Sequence, residues 1–91
     1  MKRTRPRILV INGIEYEIIC ASEFDGFVTT GGKERTMFIH DNKGPRVVLD
    51  TFIHEALHAS EPGMTERRVA RIAKNVRNLL WKVGYRRERD T

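Results

Sequence analysis

Residues 50–60 read DTFIHEALHAS, and within them His54-Glu55-Ala56-Leu57-His58 spells H-E-x-x-H. On a helix, residues four apart lie one turn above each other on the same face, so both imidazoles can address one ion. The reading therefore needs a helix here, and the flanking residues supply one. Pro45 suits a first helical turn, where its missing N–H costs nothing. Leu49, Phe52, Ile53, Ala56 and Leu57 recur at helical spacing, and Glu61-Pro62-Gly63 breaks the run. A helix is predicted from Pro45 to about Ser60.

Working outward, Thr65 is a good N-cap for a second helix. Val69, Ile72, Ala73, Val76, Leu79, Leu80 and Val83 give that helix an apolar stripe before Gly84 stops it. Upstream, Arg7 to Ile11 is a short apolar run rich in β-branched residues, followed at once by Asn12-Gly13, the strongest short hairpin signal. The next run alternates, with Ile14, Tyr16, Ile18 and Cys20 on one face, as a half-buried strand does. Residues 21–33 are turn-rich and read as loop with a ragged strand at Phe27 to Thr29. Glu34 to His40 reads as a further strand, closed by the turn Asp41 to Gly44, and as a candidate edge for pairing with an extended peptide. Strands first and helices after make an α+β domain. The expectation is a small antiparallel sheet of about three strands, then two helices, with a metal site between the helices and a single domain over residues 1–91.

Composition sets bounds on function. The chain has 91 residues, 40% hydrophobic and 32% charged, as an ordinary globular domain does. No apolar run approaches the ~18 residues of a membrane span. The basic N-terminus is followed by only Ile8 to Ile11, too short for the apolar region of a signal peptide, so export by that route is not expected. One cysteine, Cys20, cannot form an internal disulfide, which suits a reducing cytosol. A small chain without disulfides gains from another staple, and a metal is one. The net charge is +5 and is concentrated late in the chain. From Glu66 onward there are nine Lys or Arg against three Asp or Glu. Such a bias marks either a solvated helix face or a surface for nucleic acid or an acidic partner.

A catalytic zinc usually has three protein ligands and one open position. His54 and His58 supply two. Glu55 is offset around the helix, where it can take a proton from a water held at the ion and pass it to a leaving amine. Three acids compete for the third position. Glu61 falls in the Pro-Gly breaker, and Asp50 would require three consecutive turns of one helix to aim at a single point. Glu66 is in phase with Val69, Ala73, Val76 and Leu80, and a carboxylate on an apolar face needs a partner. Other residues are weaker candidates: Tyr85 as an oxyanion donor, His40 at the end of its strand, and Trp81 near Arg77 and Tyr85 as an aromatic-basic patch. Cys20 reads as a small core residue.

TFIHEALHA, followed closely by a helix beginning MTERRVARIAKNV, resembles the compact zincin-type metallopeptidases. These include the minimal gluzincins, the ImmA/IrrE-type bacterial and phage proteins, and small phage-encoded H-E-x-x-H proteins. The resemblance covers the second half of the chain, and the strands before it agree in kind. It implies one zinc ion held by His54, His58 and Glu66, with Glu55 as general base acting on a protein or peptide substrate. The sequence lacks the H-E-x-x-H-x-x-G-x-x-H extension of metzincins. Its interval from His58 to Glu66 is also shorter than in larger gluzincins. The competing expectation is a non-catalytic module that binds zinc, or uses its basic C-terminal helix to bind nucleic acid or a host protein.

Overall fold

The N-terminal half begins as a hairpin because Asn12 and Gly13 both adopt positive φ, at 53° and 78°. That is the backbone a two-residue turn needs to match the twist of its strands. The computed structural model describes residues 7–21, 27–28 and 35–87. Strand β1 spans Arg7–Ile11 and pairs antiparallel with β2, Ile14–Ala21, with Leu9 opposite Tyr16. Strand β3 is only Phe27–Val28, and β4 is Thr36–His40. The remainder of the 21–33 loop and Glu34 lie outside the described residues.

The sheet order is β1-β2-β4-β3, and β4 runs parallel to β2. The α+β arrangement is as expected, but among the described residues the sheet is mixed and has four strands, one of them, β3, very short. The segment between β2 and β4 returns the chain in the same direction, with β3 antiparallel to β4 on its way. No local pattern encodes that choice, because alternation specifies a face and not a neighbour. Among the described residues β4 therefore lies between β2 and β3, and β3 occupies its outer side at Met37 and Phe38, so β4 is not a free edge for peptide pairing over those residues. Among the described residues the edge strands are β1 and β3.

The inward set of β2 is the predicted one. Tyr16 is buried, and Ile14, Ile18 and Cys20 pack around the cluster it forms with Met37, Ile39, Val48 and Ala59. Helix α1, Pro45–Ser60, lies across β3 and β4 on this face. Helix α2, Glu66–Lys82, packs on α1 through Val69 and Ala73, both fully buried. Thr65 caps α2 by accepting from Arg68 N at 3.2 Å. Pro45 opens α1 as expected.

The apolar stripe predicted for α1 is only partly buried. Its most buried residues are Val48, Glu55 and Ala59. The reason is that α1 meets two neighbours, the sheet and α2: Val48 and Ala59 join the sheet cluster, and of the predicted stripe Phe52 packs against it. Leu79 on α2 and Val83, its C-cap residue, are exposed although they continue the stripe. A hydrogen bond from Asn12 Nδ2 to Ser60 O, 2.8 Å long, ties the hairpin tip to the end of α1. It satisfies one of the carbonyls a helix leaves unpaired at its C-terminus. Among the described residues, no helix is long and apolar enough to cross a membrane.

Candidate metal centre

His54 and His58 sit one turn apart on α1, and their ring centroids are 4.9 Å apart with the planes tilted by 59°. Both Nε2 atoms point at the same oxygen. Glu66 Oε1 lies 3.1 Å from His54 Nε2 and 2.6 Å from His58 Nε2. The chain delivers that oxygen because Glu61-Pro62-Gly63 ends α1, the backbone reverses, and Thr65 starts α2 with Glu66 as its first residue. A short connection makes α2 run back along α1, so the start of α2 meets the end of α1 that carries the histidines.

One ligand atom from each of His54, His58 and Glu66 lies within 4.8 Å of the others. Two imidazole nitrogens and one carboxylate oxygen form a donor set suited to zinc, and three donors would fill three of its usual four positions. The histidines are about one quarter exposed, while the Glu66 side chain is 72% exposed. The expected reason for choosing Glu66, a buried carboxylate in need of a partner, is thus not the one that operates. Glu66 stands at the open rim of the helix pair, and the reversal of the chain, not burial, brings it to the imidazoles. Such slight burial as it has pushes its carboxyl up. The hydrogen bond and charge of His58, followed by those of His54, outweigh this and hold it below the ordinary value.

Glu55 differs. It is 6% exposed and is the one buried charged residue among the described residues. Burial pushes its carboxyl above the ordinary range, while the charges of His54 and His58 pull it down and that of Glu66 pushes it up again. It therefore lies within the field of the same three residues without being one of the converging set. A carboxylate raised toward neutrality is a better proton acceptor than one left in water.

The competing acids are not among the converging residues. Asp50 accepts from Arg77 Nη1 at 3.1 Å, an ion pair between the helices. Glu61 is the exposed C-cap residue of α1. Tyr85 is not brought to the centre. It lies beyond the far end of α2, about 25 Å of helix from Glu66, and lines a separate cavity of about 240 Å³ with Leu49, Phe52, Leu80, Arg86 and Arg87. His40 follows the inward-facing Ile39 and so alternates onto the opposite face of the sheet, away from α1. Cys20 is half-buried against the core, as predicted.

Trp81 does mark an aromatic-basic patch, but with different partners from those the spacing suggested. The Arg86 guanidinium lies 3.5 Å from its ring centroid and that of Arg46 lies 6.0 Å away. Arg46 belongs to the first turn of α1, and no local sequence signal links it to Trp81. Comparison with protein-family models, curated proteins and solved structures finds no match to this chain.

Proposed function

We propose that this chain is a small zinc-dependent metallopeptidase acting on a protein or peptide substrate. The observation that carries the reading is the meeting of His54 Nε2, His58 Nε2 and Glu66 Oε1 at one point, with Glu55 buried beside them. When bound, zinc supplies a Lewis acid that polarises a peptide carbonyl and makes water easier to deprotonate. His54 and His58 hold the metal from one rigid helix, and Glu66 completes the set from a second. Glu55 takes the proton of the attacking water and passes it to the departing amine as the peptide bond breaks. A purely structural site has no use for a buried carboxyl beside the two histidines whose proton affinity is raised by burial. The lone free cysteine fits the cytosol as its compartment.

The test is Glu55→Gln. The glutamine has nearly the same shape and does not belong to the converging donors, so the variant should bind zinc as the wild type does. Loss of a general base costs about 10²–10⁴-fold in rate. Wild type and variant, both loaded with zinc, are compared in a protein-library cleavage screen read by mass spectrometry. Cleavage that disappears with Glu55→Gln supports the peptidase. Cleavage of equal rate in both, or none by zinc-loaded wild type across the library, rejects it.

A further inference from the structure

The face of α2 turned away from α1 carries a line of cations. Val69 and Ala73 mark the side buried against α1, and Arg67, Arg71, Lys74 and Lys82 project from the opposite side, all exposed. Their spacings of four, three and eight residues keep them on one stripe. The stripe is about 22 Å long at the helical rise. After Glu66, no acidic residue occurs in the helix through Lys82. Among the described residues, none of the four forms an ion pair; the recorded pairs use His54, His58, Arg77 and Arg87.

Helix stability does not explain this arrangement. Solvated helix faces ordinarily mix signs, with acids placed four residues before bases. Here Arg67 and Arg71 repel each other at that spacing. Arg67 and Arg68 also sit in the first turn, where the helix dipole disfavours positive charge. At the other end the stripe broadens, because Arg46 reaches over from α1. Arg46 and Arg77 both donate to Asn78 Oδ1, at 3.0 Å from Arg46 Nη2 and 2.9 Å from Arg77 Nη2. Arg86 and Arg46 flank Trp81.

We propose that the outer face of α2 binds the phosphate backbone of double-stranded DNA. A straight row of fixed cations on a rigid rod matches a polyanion whose charges are held in regular array, and a major groove about 12 Å wide admits a helix. Single strands are bound by stacking bases on open aromatic faces. Trp81, with the Arg86 guanidinium stacked over its ring at 3.5 Å, offers no such platform. The stripe is separate from the metal centre, since Arg67, Arg71, Lys74 and Lys82 take no part in it.

The experiment is fluorescence anisotropy of a labelled 20-base-pair DNA duplex with the full chain, from 50 to 200 mM salt. Four neutralised phosphates give a slope of about −3.6 in log affinity against log salt, or about a 150-fold loss across that range. Each of Arg67→Gln, Arg71→Gln, Lys74→Gln and Lys82→Gln should reduce the slope by about one. All four side chains are exposed, so the variants should melt no lower than the wild type, and any that does is replaced by the Ala variant at the same position. Absence of binding at 50 mM salt, or slopes unchanged by every substitution, overturns the proposal. So does tighter binding of a single strand or an RNA duplex of the same length.

Discussion

Glu66 Oε1 lies 2.6 Å from His58 Nε2 and joins the first residue of one helix to the last turn of another. The same oxygen is 3.1 Å from His54 Nε2. Without a metal, this contact requires each imidazole to present an N–H to the carboxylate. With a metal, the same nitrogens would be its donors, so each imidazole would then carry its N–H on Nδ1 and leave Nε2 free for the ion.

The first expected outcome is one zinc per chain in the wild type and none retained by His58→Ala after desalting, read by elemental analysis. A ligand that binds only the native state raises its stability with ligand concentration, by about 2.7 kcal/mol at 100 times Kd. For a domain of this size that corresponds to roughly 10–20 °C in Tm. Excess chelator should lower the wild-type Tm on that scale and leave His58→Ala unmoved. A wild type that takes up no metal on reconstitution refutes the centre.

Glu66 and Glu61 provide a matched pair, both exposed acids near the helix reversal. Only Glu66 reaches the imidazoles. Partners that merely support a metal ligand already cost ~10–100-fold in affinity when removed. Glu66→Gln should lose at least that much, and Glu61→Gln should leave zinc affinity unchanged, as measured by competition with a chromogenic chelator. Equal effects from the two would exclude Glu66 as a donor.

Glu55 links the candidate chemistry to stability. Its native carboxyl is raised above the ordinary value of 4.5, chiefly by burial. In the metal-free chain the native state then holds this proton more tightly than the unfolded state does. The stability Glu55 contributes is fully present below pH 4.5 and is lost as pH rises through the raised native value. Metal-free Glu55→Gln should therefore melt higher than metal-free wild type at pH 7, and the difference should shrink to nothing below pH 4.5. A difference independent of pH would mean that the carboxyl is not desolvated in the fold.

Ala73 tests how α2 is seated on α1. It is fully buried, as is Val69 one turn earlier. Ala73→Leu adds volume that the helix pair can accept only by moving apart, at a cost of about 1–3 kcal/mol. Because Glu66 lies on the same helix, the variant should also bind zinc more weakly, whereas a surface change such as Ala70→Leu should do neither. Chemical denaturation and zinc titration of both variants check this.

Several features were fully legible in the chain, because each depends only on near neighbours. Asn12-Gly13 accepts the positive φ of the hairpin turn, and Pro45 and Thr65 start their helices at the predicted residues. His54 and His58 share a face by helical pitch alone. The inward alternation of Ile14, Tyr16, Ile18 and Cys20 likewise needs nothing beyond the strand. Other features depended on elements far apart in sequence. The placement of β4 between β2 and β3, parallel to β2, follows from how the intervening segment returns, which side-chain alternation does not specify. The division of α1 between sheet and α2 left Val48 and Ala59 more buried than the predicted stripe. Glu66 was identified from its phase on α2, but its place beside the histidines comes from the reversal after Ser60 and not from burial. Arg46 beside Trp81 could be seen only in the fold. A helix specifies which of its residues share a face, and only packing determines what that face meets.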